Sequence, residues 1–60
     1  MRIRYRLDID DLGVHEWKEA DGKDDPPTTW LCIPWMDREL RIREVRLRLL
    51  AVEHGVAVYA

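Results

Sequence analysis

Disulfides are excluded from this chain: Cys32 is its only cysteine, so no intrachain bridge can brace the fold, and a lone thiol suits a reducing compartment. Long apolar runs are missing as well. Nothing approaches the roughly 18 residues of a membrane-spanning helix, and the opening MRIRYRLDID is too charged for a secretory leader. These absences lead us to expect a soluble, cytoplasmic protein with no membrane partner. Size is short too. Sixty residues make one domain at most, spanning 1–60, and at this length the core is marginal without help. With disulfides excluded and no metal motif in sight, association with another chain is the remaining common way to stabilise so few residues.

Recognisable chemistry is equally scarce. The candidate metal ligands His15, Cys32, His54 and the carboxylates show no zinc spacing, and neither 8–11 nor 21–25 follows the calcium-loop pattern. Cys32 could meet His15 or His54 as a nucleophile pair. Inside TTWLCI, however, it reads as a small buried hydrophobe, and a chain this short has little room for a substrate pocket. No catalytic residue, metal ligand or cofactor is assigned, and the expectation is a non-enzyme.

What is present is a normal globular share of apolar residues (47%) together with 37% charged ones. Net charge is −2 but unevenly placed: residues 1–7 carry +3, residues 8–25 carry −6 and residues 37–53 carry +1. The acidic stretch reads as a solvated face and loop, with a docking surface for a basic partner as the sharper alternative. Arginine outnumbers lysine eight to two, which favours bidentate contact with carboxylate or phosphate, although genome base composition produces the same bias.

The organising stretch is 37–59, DRELRIREVRLRLLAVEHGVAVY. Three acids precede arginines by four residues (Asp37/Arg41, Glu39/Arg43, Glu44/Arg48), each pair worth roughly 0.2 to 0.5 kcal/mol on a helix. Asp37 can cap the start, Gly55 can end it, and His54 suits the last turn, so a helix over 37–54 is predicted. The rival is a strand, because Leu40 and Ile42, then Val45, Leu47 and Leu49, alternate with arginines; His54-Gly55 would then be a hairpin turn and Arg43-Glu44 a bulge. As a helix the segment is apolar on two sides. Ile42, Val45, Leu49 and Val52 line one, while Leu40, Leu47 and Ala51 line the other with Leu50 on its flank, which calls for a second packing surface.

Elsewhere, Ile3, Tyr5, Leu7 and Ile9 alternate with Arg2, Arg4, Arg6 and Asp8, predicting a strand over 2–9 with three arginines on one face. Residues 11–20 fit a short helix or a strand equally. Residues 21–27, DGKDDPP, read as a loop, 28–33 as a strand stopped by Pro34, and 56–59 as a third strand. Three tryptophans are many for this size; at least one should be buried and another half exposed.

The resulting expectation is an α+β domain, a three-stranded sheet on one long helix, with a small all-β barrel as the alternative. Function is expected to be that of a protein-binding module, a small regulator, inhibitor or accessory subunit, self-associating or docked on a larger partner. Trp30, Trp35, Leu40, Leu47, Leu50 and Ala51 are its candidate contacts. The alternative is nucleic-acid binding through Arg2, Arg4, Arg6, Arg41 and Arg48. A β-ribbon can enter a major groove, but the acidic balance opposes it.

Overall fold

A computed structural model describes residues 1–22 and 26–60; positions 23–25, in the middle of the predicted 21–27 loop and at the end of the acidic stretch, lie outside the described residues. Strand is the only regular structure among them apart from one 3-10 turn, Asp10–Leu12. The strands are β1 (Arg2–Ile9), β2 (Val14–Asp21), β3 (Trp30–Met36), β4 (Ile42–Glu53) and β5 (Val56–Tyr59). They form one sheet in the order β2-β1-β5-β4-β3, curled into an open half-barrel. All neighbours are antiparallel except β1 and β5, which run parallel.

The predicted α+β fold is therefore corrected: residues 37–54 form a turn and a twelve-residue strand, not a helix. The physical reason is a matter of magnitudes. Three acid–arginine pairs would give a helix about 1 kcal/mol in total. Burying a single large aliphatic is worth about 1.5 to 3 kcal/mol. A helix can turn only one side to a sheet, whereas β4 puts Val45, Leu47 and Leu49 together on the inner face and Glu44, Arg46 and Arg48 on the outer one. The irregularity falls between Leu49 and Ala51 rather than at Arg43-Glu44, and it takes Leu50 out of the ladder. His54 and Gly55 make the hairpin turn to β5 with φ of 52° and 76°. Two successive left-handed residues match the twist of the flanking strands, and glycine takes the second without strain.

β1 occupies the predicted 2–9 span. The ambiguous 11–20 segment resolves into the end of the 3-10 turn and a strand that pairs with β1 from Ile9–Val14 to Arg2–Asp21. Pro34 does not stop β3, which continues to Met36. β3 is an edge strand with β4 on one side only, so a residue without an N–H is tolerated there.

The core lies on the inner side of the curl. Leu7, Ile9, Leu47, Ala57 and Tyr59 are buried, with Ile3, Tyr5, Leu31, Ile33, Val45 and Leu49 half-buried around them. Tyr59 is 1% exposed and its hydroxyl donates to the Thr28 carbonyl at 2.6 Å, tying the lead-in to β3 onto the centre of the sheet. No tryptophan is buried, contrary to expectation. Trp35 is half-buried on the inner face, while Trp17 and Trp30 are 43% and 45% exposed.

At the open end of the β1–β2 hairpin, Gly22 N–H donates to the Met1 carbonyl at 2.7 Å and the Met1 amino group donates back to the Gly22 carbonyl at 3.2 Å. A Cβ on Gly22 would come within 2.9 Å of that carbonyl oxygen and 2.6 Å of Ile3 Cδ1. Since backbone is involved, Gly22→Ala should cost about 1 to 3 kcal/mol. Its urea midpoint should fall against wild type, and an unchanged midpoint would contradict the packing described here.

Candidate interaction surfaces

The β3–β4 connection is a well-built turn. Asp37 Oδ1 accepts from the Glu39 and Arg41 N–H groups, both at 2.9 Å, while Leu40 N–H donates to the Asp37 carbonyl at 3.1 Å and Asp37 N–H to the Arg41 carbonyl at 2.9 Å. This closed loop holds Leu40 at φ 61° with 78% of its surface exposed. Beside it, Met36 and Ile42 face each other across the ladder on the outer side, 59% and 71% exposed. The hairpin end thus presents an apolar knob, Met36, Leu40 and Ile42, on a hydrogen-bonded turn that also carries Arg38, Glu39 and Arg41.

The second surface is the outer face nearer the middle of the sheet. Trp17 pairs with Arg6, and Trp30 pairs with Arg48. Arg48 and Ala60 exchange both backbone hydrogen bonds, and the β1–β5 register, carried one residue past Tyr5–Tyr59, sets Ala60 beside Arg6. One row therefore crosses all five strands as Trp17, Arg6, Ala60, Arg48, Trp30. The guanidinium carbon of Arg4 lies 4.8 Å from the Trp17 ring centre and that of Arg6 5.8 Å; Arg46 lies 4.2 Å from the Trp30 ring. Arg2 is engaged by Glu19 at 2.9 Å and Arg6 by Asp8 at 3.0 Å. Among the described residues no carboxylate lies within ion-pair distance of Arg4, Arg46 or Arg48.

The candidate contacts inferred from a two-sided helix are dispersed by the strand. Leu40 stands at the hairpin tip, and Leu50 is 61% exposed at the β4 irregularity. Trp30 is on the outer face; Ala51 is half-buried after the irregularity. Leu47 is buried in the core, 6% exposed. Trp35 faces inward, where the Lys18 ammonium from the opposite edge strand lies 5.5 Å from its ring. Of the candidate arginines, Arg4 and Arg48 belong to the outer row or its border, Arg2 and Arg6 are paired, and Arg41 sits in the hairpin turn, 3.4 Å from Glu39. Met36, Ile42 and Trp17 were missed as surface residues by sequence reasoning. The alternation through 42–49 was the available signal for Ile42; Trp17 depended on the 11–20 segment, which fits a helix or a strand equally.

The remaining polar groups do structural work. Arg43 donates through Nη1 to both oxygens of Asp11, at 2.9 and 2.7 Å, fastening β4 to the 3-10 turn. Cys32 is exposed, and hydrogen bonding to Glu44 pushes its thiol up from 9.0. Among the described residues no three His, Cys, Asp or Glu side chains converge as a metal site would require. No helix among them is long and apolar enough to cross a membrane. No family model, curated protein or solved structure matches the chain.

Asp8 accepts from His15 Nδ1 at 2.9 Å and from Arg6 Nε at 3.0 Å, and these bonds, His15 foremost, hold its carboxyl below the ordinary 3.8. A lowered folded-state pKa adds stability that is present above the unfolded value and is lost as pH falls through the folded one. The stability difference between wild type and Asp8→Asn should therefore shrink on acidification below about pH 4. Urea unfolding at a series of pH values measures it; a gap that widens in acid would refute the assignment.

Proposed function

We infer that the chain is a non-enzymatic protein-binding module of the regulator or accessory-subunit kind, and that its hairpin knob docks on a second copy of itself. Leu40 carries this reading. A left-handed backbone disfavours leucine by about 1 to 2 kcal/mol relative to glycine or asparagine, and an exposed side chain recovers none of that through burial. Neither conformation nor internal packing accounts for leucine there, whereas an apolar contact outside the chain does. Met36 and Ile42 extend the same patch.

Area supports a copy of the chain as the occupant. A folded monomer of 7.2 kDa should expose roughly 4,100 Å², and this one exposes 4686 Å². The excess of about 600 Å² per chain, doubled, reaches the lower end of stable interfaces at roughly 1,200 Å². The single free cysteine supports a cytoplasmic setting.

Sedimentation at tens of micromolar protein should show dimer for wild type and monomer for Leu40→Asn and Ile42→Glu. Leu40→Asn should also raise monomer stability by about 1 kcal/mol, because asparagine tolerates the left-handed turn. A strictly monomeric wild type would sink the self-association. If in addition no protein were retained by wild type and lost from both variants, the binding-module reading would go with it.

A further inference from the structure

We propose that the outer row Trp17, Arg6, Ala60, Arg48, Trp30, bordered by Arg4 and Arg46, is a binding face for single-stranded nucleic acid. This face is separate from the hairpin knob and does not depend on that reading. Arg48 and Ile42 are six residues apart along β4, about 20 Å at the rise of a strand.

Three features of the row point to that ligand. Its two ends are exposed indole rings, each with guanidinium on one face, and both indole and guanidinium planes accept a stacked base. Four strand spacings of about 4.8 Å put about 19 Å of arc, around the outside of the curl, between the strands that carry the rings, enough for a flexible single strand to lay more than one base along it. The middle is lined by Ala60 and Val58, small enough to leave the arginines beside them accessible to a backbone.

Unpaired guanidinium groups favour a polyanion over an apolar or basic partner. Asp8 and Glu19 are committed to Arg6 and Arg2, and among the described residues Arg4, Arg46 and Arg48, like Arg38 in the hairpin turn, have no carboxylate within ion-pair distance; the first three converge on the row. Of the remaining side-chain acids of this face, Asp21 and Glu53 lie toward the strand ends, while Glu44 lies two residues from Arg46 and is hydrogen-bonded to Cys32. A single strand is favoured over a duplex because only unstacked bases can lie on the two rings. An acidic peptide satisfies the arginines but leaves the indoles without a stacking partner.

The test is fluorescence anisotropy with labelled oligothymidylate of about twelve nucleotides across a salt series. Three phosphate contacts predict a log–log salt slope of about −2, and the double variant Arg4→Gln/Arg48→Gln should reduce it to about −0.7. Trp30→Leu should weaken binding roughly 5- to 150-fold with the slope unchanged, and Trp30→Tyr should restore most of the loss. Circular dichroism establishes that each variant is folded; the arginine variants, exposed in wild type, keep the test decisive if Trp30→Leu is not. Leu40→Asn should bind as wild type does, separating this face from the knob. No binding at tens of micromolar protein in about 50 mM salt overturns the proposal. Equal affinity for a duplex, or for polyglutamate of matching charge, overturns it in favour of a general polyanion or acidic-protein site.

Discussion

The parallel pairing of β1 with β5 is the constraint on which the rest of the molecule depends. One side of that seam is the β1–β2 hairpin, and the other is the antiparallel run β3-β4-β5. The buried cluster belongs to the second part, and Ile3 and Tyr5 of the first pack against it. Leu7 and Ile9 come from the first; Leu47, Ala57 and Tyr59 come from the second, and they share the inside of one curl. Parallel neighbours cannot be joined by a tight turn, so this contact is made between residues more than fifty positions apart. Such a seam forms only after distant parts of the chain meet, and both local hairpins gain their stability from it.

Strand β1 was legible because its alternation is strict and its inner residues are aliphatic or aromatic throughout. β5 was legible for a different reason: four apolar residues in a row after Gly55 must be paired in a sheet to stay soluble. β4 was misread because its charges satisfy a helical spacing by coincidence with a two-residue repeat: arginines at alternate positions inevitably fall four apart from something. Its apolar residues were the better guide, since alternation places Val45, Leu47 and Leu49 on one face with nothing left over, while a helix leaves half of them stranded. Pro34 misled for another reason. Its effect depends on whether a strand has one neighbour or two, and that is a property of the sheet.

The surfaces were less legible than the fold. Leu40 was picked out, but as part of a helix side, and its left-handed backbone is visible only once Asp37 is seen closing the turn around it. The tryptophan–arginine row joins residues from four strands with Ala60 at the end of the fifth, so it exists only through the register of every pairing in the sheet. Sequence supplies the arginines of β1 as a run of three. It gives no sign that Arg2 and Arg6 are occupied by acids while Arg4, among the described residues, has no carboxylate within ion-pair distance, or that Arg46 and Arg48 stand in the same way across the sheet.

Pro34 carries a further consequence. Each flank of an open sheet is a template on which another ribbon can crystallise, and repeated addition produces filaments. On the β3 flank the imide nitrogen of Pro34 interrupts the donors an incoming ribbon would need, and on the β2 flank Glu16, Lys18 and Glu19 crowd the margin with alternating charge. Both margins therefore resist the addition of another ribbon.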